Sequence, residues 1–178
     1  MKMEIDRNLL IQSIDSVLSI LNIFLQLMFR STKTFHFLPC AHRQWRDEGH
    51  CRFVHGYDRS VHLVFECSEL DDKMWVMDFG GLKPIKAWLE ALFDHTLLIN
   101  EDDPELEFFQ EMEKRDLCRL RVMPNVGMEG SAKYVFEYID QWIKKETGNR
   151  VSIYSVECRE NEKNSAIFIR PESPSSQK

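Results

Sequence analysis

The most constraining stretch of this chain runs from Phe53 to Cys67, where side chains alternate along an extended segment rich in β-branched and aromatic residues. Successive side chains of a strand point to opposite faces. One face therefore carries His55, Tyr57, Arg59, Val61, Leu63 and Phe65, and the other Val54, Asp58, Ser60, His62, Val64 and Glu66. Thr34 to His42 has the same character, and the polar loop Arg43 to Arg52, with Cys51 near its end, joins the two into a hairpin. A lone hairpin is not stable in water, so further strands or helices must cover it.

Helices are legible downstream. Asp78-Phe79-Gly80-Gly81 followed by Leu82-Lys83-Pro84 reads as a capped helix entry, and the helix runs to about Phe93, burying Ile85, Trp88, Leu89 and Leu92. Asp103-Pro104 opens a shorter acidic helix to about Arg115, and Leu117 to Met123 reads as a short strand. A second major helix spans Glu129 to about Thr147, with Ala132, Val135, Phe136, Ile139, Trp142 and Ile143 on its apolar face and Gly148-Asn149 ending it. Val151 to Glu157 and Ala166 to Ile169 form a final strand pair. Hairpin, helices, hairpin predicts one α+β domain over residues 34–170, an antiparallel sheet of four strands with two main helices on one face.

The ends differ from this domain. Residues 1–30 contain an apolar run, Leu9 to Phe29, with Leu10, Ile14, Val17, Leu18, Leu21, Phe24, Leu25 and Met28 at helical spacing. Gln12, Asp15, Asn22 and Gln26 interrupt it, and a central Asp costs about 2.5–3.5 kcal/mol in a membrane span. A membrane segment is therefore not expected. Two readings stand: an amphipathic N-terminal helix, or translation starting at Met28. Residues 171–178 are rich in Pro and Ser and predict a disordered tail.

Net charge is −6, which disfavours nucleic acid as a partner, since a basic face supplies most of that affinity. Five cysteines without CxxC spacing argue against a disulfide framework or thiolate zinc knuckle, and fit free thiols in a reducing cytoplasm.

Motifs carry more than composition does. Ala41-His42-Arg43, Cys51-x-x-x-His55-Gly56, Val76-Met77-Asp78-Phe79 with Leu82-Lys83, Asp94-His95 with Asn100, Glu129 with Ala132, and Glu157 follow one another in that order. In this the chain resembles the 6-pyruvoyl-tetrahydropterin synthase and 6-carboxy-tetrahydropterin synthase family over roughly Phe35 to Phe168. The Cys-x-x-x-His spacing is similar to the carboxy-type enzymes of queuosine and 7-deazaguanine synthesis. The resemblance implies the tunnelling fold, whose subunits close into homo-oligomers (trimers, or hexamers of stacked trimers) with sites at their interfaces. It implies a cytoplasmic carbon–carbon lyase converting 7,8-dihydroneopterin triphosphate to 6-carboxytetrahydropterin, acetaldehyde and triphosphate. The alternatives are a pyruvoyl-forming enzyme and a diverged, non-catalytic pterin-binding homologue.

The same resemblance implies roles for individual residues. His42 and His55 match zinc ligands, Cys51 matches the catalytic base, and Asp94 with His95 matches the proton-relaying pair that works with the Cys of another subunit. Glu157 matches the anchor for the planar edge of the pterin, and Glu129 the acidic start of the second helix. Bound zinc would polarise side-chain oxygens of the substrate. Tyr57 departs from the pattern, standing where the family has its third histidine. A neutral phenol is a poor ligand, so a weakened, rebuilt or absent metal site all stand open at this point. Arg43, Arg52 and Arg59 are candidates for triphosphate contacts. Read without the resemblance, each of these residues has a plainer role: hydrogen-bonded histidines, an inert thiol, a helix-ending Asp, surface charges.

Overall fold

The computed structural model describes residues 28–171; the expected N-terminal helix, apart from its last two residues, and the tail from residue 172 onward lie outside the described residues. Six strands, β1 (Phe29–His42), β2 (His55–Cys67), β3 (Thr96–Asn100), β4 (Leu120–Met123), β5 (Ser152–Arg159) and β6 (Ser165–Ile169), alternate with three helices, α1 (Lys83–Phe93), α2 (Leu106–Lys114) and α3 (Met128–Glu146). The sheet order is β4-β3-β1-β2-β5-β6. β1, β2, β5 and β6 pair antiparallel, as expected for four strands, but β3 joins β1 in parallel and β4 joins β3 in parallel. The four-stranded antiparallel expectation is thus corrected to a mixed sheet of six.

The reason for the difference is physical. Thr96–Asn100 is buried along its whole length, so it shows no alternation, the signal on which the other strands are recognised. A helix lies between β2 and β3 and another between β3 and β4, and crossovers of that length permit parallel pairing. Other boundaries move modestly. β1 begins at Phe29 rather than Thr34, so Phe29 is strand and not the end of a helix. β2 begins at His55 and β4 at Leu120.

α1 and α3 cover one face of the sheet. Ile85, Leu89, Leu92 and Phe93 of α1 and Ala132, Val135, Phe136, Ile139 and Ile143 of α3 pack onto Phe35, Leu38, Val61, Leu63 and Phe65. Burying a side chain of this size stabilises the fold by roughly 1.5–3 kcal/mol relative to exposing it. The entry the sequence predicts is built in two steps: Asp78 Oδ1 accepts the Gly80 N–H at 2.9 Å and caps a 3-10 turn, Phe79–Leu82, which leads straight into α1, where Pro84 sits in the first turn. α2 caps a second, smaller core, where Phe109 meets Leu97, Ile99 and Leu120.

Phe37 interrupts β1 with a left-handed φ of 62° and shifts the register between Phe35 and Leu38. After that bulge Leu38, Cys40 and His42 face the helices. On β2 the helix face carries His55, Tyr57, Arg59 and Val61, whereas Gly56, Asp58, Ser60 and His62 lie on the open face. Among the described residues no helix is long and apolar enough to cross a membrane.

Candidate functional site

The register of the β1–β2 hairpin builds the first cluster. His42 pairs with His55 and Cys40 with Tyr57, so the three rings converge at the hairpin end. Ring centroids lie 4.5 Å apart for His42 and His55, 5.5 Å for His55 and Tyr57, and 6.1 Å for His42 and Tyr57. His55 Nδ1 donates to the Phe53 carbonyl at 2.7 Å, which fixes its tautomer and leaves Nε2 with its lone pair. His42 is buried, and its Nδ1 has no hydrogen-bond partner among the described residues. Burial, reinforced by the charges of Arg59 and His55, pushes its pKa down to about 3, so the ring is neutral at pH 7. The Glu160 carboxylate, as hydrogen-bond acceptor and as a charge, raises the pKa of the Tyr57 hydroxyl and keeps it a phenol.

A catalytic zinc site takes three protein ligands and keeps a further position open. Here the hairpin supplies two imidazoles, and the third place is held by a neutral phenol. Among the described residues no group of three or more His, Cys, Asp and Glu side chains is arranged to hold a metal ion. The orphaned Nδ1 of His42 and the oriented ring of His55 suit a ligand, but the donor set does not fit a three-ligand zinc centre.

Cys51 sits in a 3-10 turn, His50–Arg52, within the loop that joins His42 to His55. Its amide donates to Asp47 Oδ2 at 3.1 Å and its carbonyl accepts the Gln44 amide at 2.8 Å, so the loop is stitched to itself. Arg43 then fastens the loop to the segment after β3. Its Nε and NH2 donate to the two carboxylate oxygens of Asp103, each at 2.8 Å. Arg46 and Trp45 bind Asp102. The connection between Asn100 and Glu129 is thereby tied to the loop that carries Cys51. Gln44 Oε1 also accepts from Asn100 Nδ2 at 3.3 Å, and Asn100 Oδ1 accepts the Val126 amide at 3.0 Å. That chain of contacts fixes the start of α3, where exposed Glu129 lies in the first turn beside Gln44 and Gly127. Glu129 is therefore gathered to the same end of the sheet as His42.

Asp94 and His95 form a second cluster. His95 adopts a left-handed φ of 56°, its amide donates to the Pro39 carbonyl at 2.7 Å, and Asp94 Oδ1 lies 2.6 Å from His95 Nδ1. The carboxylate thus orients an exposed imidazole, as in triad chemistry. His95 borders a shallow cavity of about 450 Å³ with Pro39, Ala41, Gly56 and Asp58. Gly56 allows a close approach of the two strands there: a Cβ would lie a tight 3.1 Å from the Cys40 carbonyl oxygen. Cys51 is not among the residues lining that cavity.

Glu157 stands apart from His42 and His55. It pairs across β2 with His62, on the open face of the sheet. Arg159 NH2 meets its carboxylate at 2.8 Å, and His62 Nδ1 lies 2.8 Å from Thr34 Oγ1. The chain brings Glu157 to the open face that carries the His95 cavity, and not to the imidazole pair.

The candidate arginines separate clearly. Arg43 is taken up by Asp103, and Arg59 is only 1% exposed. Arg52 is exposed, stacks on Phe53, and forms no ion pair among the described residues, so it is the one of the three whose guanidinium is both exposed and unpaired there. The sequence carried a signal for the burial of Arg59, which shares a strand face with Val61, Leu63 and Phe65. Gln44 and Glu160 had no such signal, because both act through contacts made across loops.

Residues 30–171 match the family described as 6-pyruvoyl tetrahydropterin synthase. The 6-carboxy-5,6,7,8-tetrahydropterin synthase of Rickettsia typhi is 31% identical over 80 residues, covering 44% of this chain and 57% of that protein. The protein of the same name from Rickettsia conorii is 30% identical over the same extent. The match thus spans little more than half the length of these curated relatives. Among solved structures, an uncharacterised protein of Wolinella succinogenes superposes with a TM-score of 0.71 at 23% identity, covering 82% of this chain and 99% of that one. The 6-pyruvoyl tetrahydropterin synthase of Plasmodium vivax gives 0.59 at 18% identity, covering 81% and 98%. At such identities the likeness is one of fold.

Proposed function

This chain belongs to the 6-pyruvoyl tetrahydropterin synthase family, and from that premise we propose that it is a lyase forming 6-carboxytetrahydropterin, acetaldehyde and triphosphate from 7,8-dihydroneopterin triphosphate, on the route to queuosine-type 7-deazaguanines. The observation that carries the reading is the hairpin end, where the loop bearing Cys51 is stitched beside the paired rings of His42 and His55. The Cys-x-x-x-His spacing and the names of the Rickettsia relatives support the carboxy product.

Shortening the side chain of such a substrate requires a base for protons beside hydroxyl-bearing carbons and donors for the oxygens that gain charge. Cys51, as thiolate, is the base in this proposal. His55 Nε2 accepts a hydrogen bond from a side-chain hydroxyl, because its Nδ1 is committed to the Phe53 carbonyl. Asp94 holds His95 in the tautomer that leaves Nε2 available for proton transfer. Glu129 and Glu157 offer carboxylates to the N–H edge of the pterin, Glu157 once it is released from Arg159. Cys51 and His95 belong to separate clusters in one subunit, which supports a homo-oligomer in which neighbouring copies complete the site. Closing the sheet against other copies would also cover its edge strands β4 and β6.

The test is incubation of the purified chain with 7,8-dihydroneopterin triphosphate and mass analysis of the products. The carboxy product with acetaldehyde is expected. A pyruvoyl product would reassign the branch, and unchanged substrate would favour a pterin-binding homologue. Cys51→Ala should abolish turnover while binding persists; undiminished turnover removes Cys51 as the base.

A further inference from the structure

We propose that the centre at His42, His55 and Tyr57 works without a resident zinc ion, and that the buried guanidinium of Arg59 supplies the fixed positive charge there. The inference rests on reading this centre as the reaction site. Its first support is the donor set, two imidazoles and a phenol, which falls one ligand short of a catalytic zinc centre.

The second support is Arg59 itself. It follows Tyr57 by one pleat on the same strand face and is 1% exposed. NH1 donates to Ser131 Oγ at 2.9 Å and NH2 to the Val126 carbonyl at 3.0 Å, while Nε has no partner among the described residues. The other arginines held between core and surface sit on carboxylates: Arg43 on Asp103 and Arg170 on Asp140. No ion pair is formed by Arg59 among the described residues; its surroundings are the thiols of Cys40 and Cys158 and the ring of Phe93, with the Glu160 carboxylate acting on it only through its charge and not as an ion-pair partner. A guanidinium keeps its proton under such conditions, so a buried positive charge without an ion-pair partner stands one pleat from Tyr57, on the strand face that also carries His55.

That charge has two consequences. In a low-dielectric interior, like charges repel strongly, so a divalent cation bound to His42 and His55 is destabilised. Conversely, negative charge developing on a substrate oxygen near the imidazoles is stabilised by a dipole and charge framework already in place. Hydrogen bonds to Ser131 and Val126 hold the guanidinium at the start of α3, so the charge cannot move away when ligand arrives. Arg59 is thus a positioning charge, acting through the field rather than by contact with substrate.

The experiment measures zinc rather than turnover. The full chain, purified from zinc-supplemented culture and dialysed, is analysed for metal and then titrated with zinc. Wild type should retain far less than one zinc per chain. Tyr57→His adds the missing imidazole and should bind zinc; Tyr57→His/Arg59→Met should bind it at least ~10-fold more tightly than Tyr57→His/Arg59→Lys, which preserves the charge. If Arg59→Met does not fold, as judged by circular dichroism, Arg59→Gln takes its place. Wild type holding one zinc per chain, lost on His42→Ala, overturns the proposal. Equal affinities of the charge-free and Lys variants overturn the role of Arg59. Either of those results leaves the lyase reading standing, and absence of pterin turnover with the expected zinc results overturns the lyase reading alone.

Discussion

Replacing Asp103 with Asn tests whether the loop bearing Cys51 is held by the segment after β3. The Asp103 side chain is fully buried, and it accepts two hydrogen bonds of 2.8 Å from Arg43 and one of 2.9 Å from the Glu105 amide. Asp103→Asn keeps the size but removes the charge, and turns an amide N–H₂ toward guanidinium donors. Breaking a buried ion pair from one side costs about 3–5 kcal/mol. Arg43 retains 19% side-chain exposure, so water softens its loss and the low end applies, about 3 kcal/mol. For a domain of this length that corresponds to roughly 6–12 °C in Tm. Urea denaturation followed by tryptophan fluorescence, at constant m-value, measures the loss. Arg43→Met/Asp103→Leu should recover part of it, because an apolar pair leaves no stranded charge. Hydrogen exchange across residues 43–52 should rise in Asp103→Asn. A loss below about 1 kcal/mol with unchanged exchange in the loop would refute the reasoning.

Three further outcomes are expected. Burial tends to raise the Asp140 carboxyl, but Lys144, the Ile153 amide and Arg170 outweigh it and hold it below the usual range; its contribution is complete above pH ~4 and is lost as pH falls further, so the Tm gap between wild type and Asp140→Asn should shrink below that pH. A gap that widens in acid contradicts the assignment. Cys158 is 1% exposed with its thiol pushed up to about 12, so peptide mapping after iodoacetamide at pH 8 should find it unmodified in the native protein while half-buried Cys51 is labelled; native labelling of Cys158 would contradict its burial. Asp94→Asn removes the carboxylate that orients His95 and should lower kcat on the order of 100-fold or more with little change in KM; an equal rise in KM would instead assign Asp94 to binding.

Much of the fold was legible because its signals are local. The hairpin of β1 and β2 and the apolar face of α3 repeat on the period of the element they form, and the Asp78 cap before α1 is written in consecutive residues. Even the opposite facing of His62 and His55 follows from the two-residue repeat of a strand. β3 escaped because burial on every side erases that repeat, and its parallel pairing depends on the path of α1 and α2 rather than on its own residues.

For the site, the sequence by itself determined which chemical groups are present: two histidines and a tyrosine on one strand face or its partner, a cysteine in the loop between, and an Asp-His pair. Tertiary structure alone decided how they are distributed. It separates Cys51 from the His95 cavity, sends Glu157 to the open face against Arg159, and draws Asp103 onto Arg43. It also leaves Arg59 buried on Ser131 and Val126 rather than on an ion-paired carboxylate. The division has one cause. Residue type and strand parity are properties of a few neighbouring positions, whereas charge compensation depends on which distant side chain the fold delivers within a few ångströms.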